Sequence, residues 1–121
     1  MKISMFFWLI CAPSLAFAET TSFSCAFDRV ASPDGVKSEV FKMDFLLDRQ
    51  NGKAYVLGNN GSSDAEWIPS AYGVTFVERT LAGNVMVTAI QLSTGQAVHS
   101  RNTVFEDKIV PTQYYGHCKA K

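Results

Sequence analysis

The sequence predicts an all-β domain, an antiparallel meander of about eight strands closed as a small barrel. Three observations carry that expectation. Short apolar runs recur at roughly ten-residue spacing, the rhythm of strands joined by hairpins. Clusters of Gly, Asn, Asp and Pro lie between them and supply the backbone conformations that tight turns need. No stretch sustains the period of a helix.

Taken in order, the first run covers residues 23–28 and the second 40–47. The second alternates: Phe41, Met43, Phe45 and Leu47 share one face, with Lys42 and Asp44 on the other. Residues 54–57 form the third, and a short run at Glu66-Trp67-Ile68 stops at Pro69. Residues 74–79, 85–92, 96–105 and 109–117 complete the set. Turns are expected at Ser32-Pro33-Asp34-Gly35, Asn51-Gly52, Gly58-Asn59-Asn60-Gly61, Ala71-Tyr72-Gly73, Ala82-Gly83-Asn84 and Thr94-Gly95. Closing such a meander removes its edges and makes the first and last strands neighbours. A two-sheet sandwich is the competing architecture. Phe23, Phe27, Phe41, Phe45, Trp67 and Phe76 are the core candidates.

Residues 1–18 read as a secretory signal peptide and 19–121 as the mature domain. Lys2 precedes the apolar residues 3–12, and Ala16-Phe17-Ala18 has the small-x-small pattern of a signal-peptidase site. The apolar run falls short of the ~20 residues that span a bilayer, and Pro13 interrupts it. No stable membrane anchor is therefore expected after cleavage, and the address is periplasmic or secreted.

Export gives the cysteines their meaning. Cys11 leaves with the signal, while Cys25 and Cys118 remain as an even pair. In an oxidising compartment that pair predicts a disulfide joining the two extremities. Closing so long a loop restricts the unfolded chain by about 4 kcal/mol on the chain-entropy account. The 11 Lys and Arg balance 11 Asp and Glu. Nucleic acid, which needs a concentrated basic face, is excluded as a partner, as is electrostatic attachment to anionic lipid.

The last two runs suggest a hairpin with Asp107 at its tip. Arg101 then lies opposite Gln113, and His99 opposite Tyr115. His99, Arg101, Gln113, Tyr115 and His117 would share one face, a candidate binding surface for a carboxylate or phosphate ester. An ordinary solvated sheet face has the same composition, and a slip of one residue would redistribute these side chains. Of Tyr114 and Tyr115, one ring is expected inward and one outward.

Catalytic and metal motifs are not evident. His99 and Ser100 are adjacent on a strand and so point to opposite faces, and there is no G-x-S-x-G elbow. His99 and His117 lack an obvious third ligand, for which Glu78 or Asp44 would have to serve. Residues 48–52 fit a hairpin turn better than a calcium loop. No cofactor is expected.

The segment T-G-Q-A-V-H-S-R-N-T at 94–103, with Q-Y-Y-G-H-C at 113–118, resembles the ending of small uncharacterised exported proteins of Gram-negative bacteria. That resemblance implies a periplasmic address. The layout as a whole is similar to the periplasmic inhibitors of c-type lysozyme, eight-stranded antiparallel barrels with a disulfide near the termini. This likeness is architectural; their Ser-Gly loop followed by Lys or Arg and Tyr does not occur here. The expected function is a non-enzymatic binding or protein-interaction module whose ligand or partner is unknown. An inhibitor of a cell-wall-degrading enzyme and a small hydrolase are the alternatives.

Overall fold

A computed structural model describes residues 20–58 and 61–121. The expected signal peptide, residues 1–18, lies outside the described residues. Eight strands follow one another: β1 (Thr20–Ser32), β2 (Gly35–Asp48), β3 (Lys53–Gly58), β4 (Gly61–Pro69), β5 (Gly73–Arg79), β6 (Val85–Gln91), β7 (Gln96–Phe105) and β8 (Lys108–Ala120). Each pairs antiparallel with the next, and β8 returns to β1 to close a barrel. Closure leaves the sandwich without a second sheet. The alternation expected for β2 is present, with Met43, Phe45 and Leu47 buried inside and Phe41 partly so.

Cys25 and Cys118 face each other across the β1–β8 seam and form the disulfide, 93 positions apart in the chain. Two residues away, Phe27 pairs with Gly116. A Cβ at Gly116 would collide with the Ala26 carbonyl oxygen and the Phe27 backbone, so only glycine lets β8 approach β1 this closely. The seam shifts register between Phe27 and Arg29. Such a bulge bends β1 at this point and lets the strands splay beyond it.

The interior divides along the barrel axis. The proximal end, near Thr20 and Lys121, is packed solid. Phe45 stacks on Phe76 with ring centroids 4.4 Å apart, and Phe23 meets Phe76 edge-on at 6.0 Å. Leu47, Val56, Val74 and Ile90 fill the space around them, and Trp67 packs on the cluster from the side. Next along the axis comes a ring-shaped layer of Phe27, Phe41, His99 and Tyr114, with centroid separations between 5.1 and 6.5 Å.

Beyond that layer the strands are of unequal length. β2 pairs with β3 only up to Asp44↔Leu57, and β6 pairs with β7 only up to Met86↔Arg101. The β1–β2 and β7–β8 hairpins run on, to Ser32↔Gly35 and Phe105↔Lys108, and remain joined through Ala31↔Gln113. A flap of four strands, in the order β2-β1-β8-β7, therefore rises above one side of the distal rim.

Candidate functional site

The site grows out of the inward-facing positions of β5, β6 and β7. On β6, Met86, Thr88 and Ile90 alternate inward; on β7, Ala97, His99 and Arg101 do the same. Thr88 lies directly opposite His99, and their Oγ1 and Nδ1 atoms are 2.6 Å apart. Both residues are only 2% exposed. Burial disfavours the imidazolium, and the Arg101 charge adds to this, so the His99 pKa falls from 6.5 to about 4. His99 is therefore a neutral, fixed ring at physiological pH.

His99 forms part of the floor of an open cavity of about 740 Å³ at the distal end of the barrel. Phe41, Met43, Val56 and Met86 supply apolar walls, and Ser63 and Glu78 a polar one. The Ser63 hydroxyl donates a short hydrogen bond to the Glu78 carboxylate. Outside the cavity lining, burial and then the Glu39 carboxylate raise the Tyr114 pKa. Arg101 springs from the same wall as His99 and Met86, and its Nε is buried with no hydrogen-bond partner among the described residues.

The candidate face read from the sequence is divided by the actual register. Ser100 pairs with Gln113, His99 with Tyr114 and Arg101 with Thr112. The hairpin turns on the two residues Glu106 and Asp107, with Glu106 at φ 52°, so the pairing is displaced by one residue from the expected one. His99 and Arg101 consequently point into the barrel. Gln113, Tyr115 and His117 point out, where the Tyr115 hydroxyl donates to Gln113 at 3.0 Å and its ring lies 5.8 Å from the Arg29 guanidinium. Tyr114 faces inward and Tyr115 outward, one ring to each side as the sequence suggests.

Among the described residues no three His, Cys, Asp or Glu side chains come together to hold a metal. The turn after β2 is held by Asn51, whose backbone and side-chain N–H groups both donate to Asp48, and these bonds lower the Asp48 pKa. It is a hairpin turn, as read. Thr88, Ser63, Met86 and Glu39 did not stand out in the sequence. Strand alternation points to two of the site's residues, since Thr88 sits between Met86 and Ile90, and Glu78 extends the series Val74-Phe76.

The architecture and site together define an antiparallel barrel filled at one end and hollow at the other. In comparison with known proteins, no family model, no curated protein and no solved structure matches this chain.

Proposed function

We propose that the protein is an exported, periplasmic binding module without catalytic activity, and that its ligand occupies the distal cavity. One observation carries this reading: the Phe45–Phe76 stack fills the proximal half of the barrel, while the distal half is an open cavity of about 740 Å³. That volume lies in the range of sites for small organic ligands, about 300–1,000 Å³, and the lining sets the apolar Phe41, Met43, Val56 and Met86 against the polar Ser62, Ser63, Glu78 and Thr80. The disulfide is compatible with an oxidising compartment. The exterior carries Lys42, Asp44, Asp64, Glu66 and Arg79 along the strands, which supports a barrel surrounded by water. A binding role is favoured over hydrolysis because an imidazole with a pKa of about 4 is a weak base for activating the Thr88 hydroxyl.

The test is mass spectrometry of small molecules that copurify with the native protein, compared with Met86→Trp, whose indole narrows the cavity beside His99. A compound present with the first and missing with a folded variant is expected. Identical small-molecule content in both would refute the cavity as the binding site.

A protein partner, such as a wall-degrading enzyme to be inhibited, is the second reading, and the flap favours it. Val40 is 75% exposed and Phe105 63%, with Val36 and Ile109 similarly open. Apolar side chains gathered on one projecting element mark an interaction surface. A c-type lysozyme inhibition assay with the native protein and Phe105→Asp decides this reading. Inhibition that the substitution relieves supports it, and no inhibition by either removes it.

A further inference from the structure

Barrel closure removes sheet edges only where all the strands run side by side. In the flap an edge reopens. Pairing of β2 with β3 ends at Asp44↔Leu57, so from Gly35 to Met43 β2 has β1 on one flank and no described strand on the other. Every second residue of such an edge turns its N–H and C=O to the open side, where another strand can take them up. The edge is regular. Lys37 pairs with Val30, which pairs with the inward Tyr114, and Phe41 pairs with the inward Phe27. Lys37 and Phe41 therefore share a face, and alternation between them is unbroken. The register shift opposite them is taken up on β1, where Asp28 and Arg29 both face out. Val36 and Val40 face outward on β2 and are 68% and 75% exposed. Asp34, Lys37, Glu39 and Lys42 are exposed as well, and none is in an ion pair among the described residues. Glu39 also acts on Tyr114, but a carboxylate can accept several hydrogen bonds. The other open edge, on β7 beyond Met86↔Arg101, runs only from Asn102 to Phe105.

We infer that a second copy of this chain covers the β2 edge, the two β2 strands pairing antiparallel about a two-fold axis at Ser38. The inference goes beyond the cavity reading and does not rest on it. A two-fold axis normal to the sheet keeps the inner faces of both copies on one side, so inward residues meet inward ones and outward meet outward. Among the registers this allows, the side chains select one. With Ser38 on the axis, Lys37 of each copy meets Glu39 of the other, Val36 meets Val40, and Lys42 reaches Asp34 in the turn. Symmetry makes every one of these contacts twice. An axis at Lys37 or at Glu39 would set two like charges directly opposite each other, which is destabilising. An axis at Val40 would put Lys37 opposite Met43 and Glu39 opposite Phe41, with no charge pair at all. Charges that ordinarily keep an edge from pairing thus admit one partner in one register. Pairing of β2 with the short β7 edge of another copy would be head-to-tail and open-ended, with fewer residues to hold it.

The test is sedimentation velocity of the purified native protein between about 1 µM and about 1 mM, where a concentration-dependent dimer is expected. Directly opposed residues of an antiparallel pair have Cα atoms about 4.5–5.5 Å apart, within disulfide reach. Ser38→Cys should therefore cross-link to its own copy under mild oxidation that leaves the native protein uncross-linked. Val40→Cys should not cross-link to itself, but mixed with Val36→Cys it should give the mixed dimer. Lys37→Glu should weaken dimerisation by about tenfold or more, and adding Glu39→Lys should restore it, with melting temperatures in dilute solution close to native. Amides of residues 36–42 that face the edge should exchange quickly in dilute protein and slow on concentration, while those of 102–105 should stay fast. A monomer at every concentration would overturn the inference and leave the edge to a strand of another protein. A dimer that Ser38→Cys does not cross-link, or that Lys37→Glu does not weaken, would place the interface on another surface and overturn it equally.

Discussion

His99 couples the stability of the barrel to pH. Its pKa is depressed in the folded protein, from 6.5 to about 4, first by burial and then by Arg101. Between those values the unfolded chain binds a proton that the folded chain does not, so acid favours unfolding. The stabilisation is complete above about pH 6.5 and is lost as pH falls towards 4. Two to three pKa units correspond to about 3 kcal/mol. Urea unfolding at a series of pH values, native against His99→Gln, should show this extra loss in the native protein alone. The carboxylates contribute to both curves and cancel in the difference. A second residue, Gly116, is a steric necessity. Gly116→Ala drives a methyl group into the Ala26 carbonyl at the seam. A cost at or above the upper end of the usual 1–3 kcal/mol for overpacking is expected, read as a lower denaturation midpoint.

Among the elements, the β7–β8 hairpin explains where the sequence was legible and where it was not. Eight strands and the inward series Phe41-Met43-Phe45-Leu47 follow from apolar alternation and turn residues, and they are present, as are the turns that lie within the described residues. The register of the last hairpin depends on where a loop without glycine turns. Glu106 adopts a positive φ that a carboxylate side chain does not announce. One residue of displacement then sends His99 and Arg101 inside and Tyr115 outside, dividing the face that composition suggested. The cavity itself was not legible. It depends on the strands' being of unequal length, and therefore on tertiary closure rather than on local pattern. Glu106→Gly should relieve the strained turn and raise stability by about 1 kcal/mol, measured as an increased melting temperature. Tyr115→Ala, by contrast, removes an outward-facing hydrogen bond to Gln113 and a contact with Arg29, and should shift stability by about 1 kcal/mol or less.

For the molecule as a whole, the covalent link and the phenylalanine stack lie towards the same end. Cys25 and Cys118 are both buried in the core cluster with Phe23 and Phe45. Replacing both cysteines by Ala should cost between about 2 and 5 kcal/mol, seen in chemical denaturation. The barrel exterior should be unchanged in that variant, because the seam hydrogen bonds from Phe23 to Ala31 do not depend on the sulfurs.

This polarity predicts a gradient of amide exchange along the axis. Protons on β1 and β8 around Phe23, Cys25 and Cys118 should exchange with deuterium only through global unfolding. Those of residues 35–40 and 102–105, which have a neighbouring strand on one side only, should exchange through local fraying many times faster. The distal rim can thus breathe while the opposite end stays shut, and a guest could enter and leave without the fold ever coming apart.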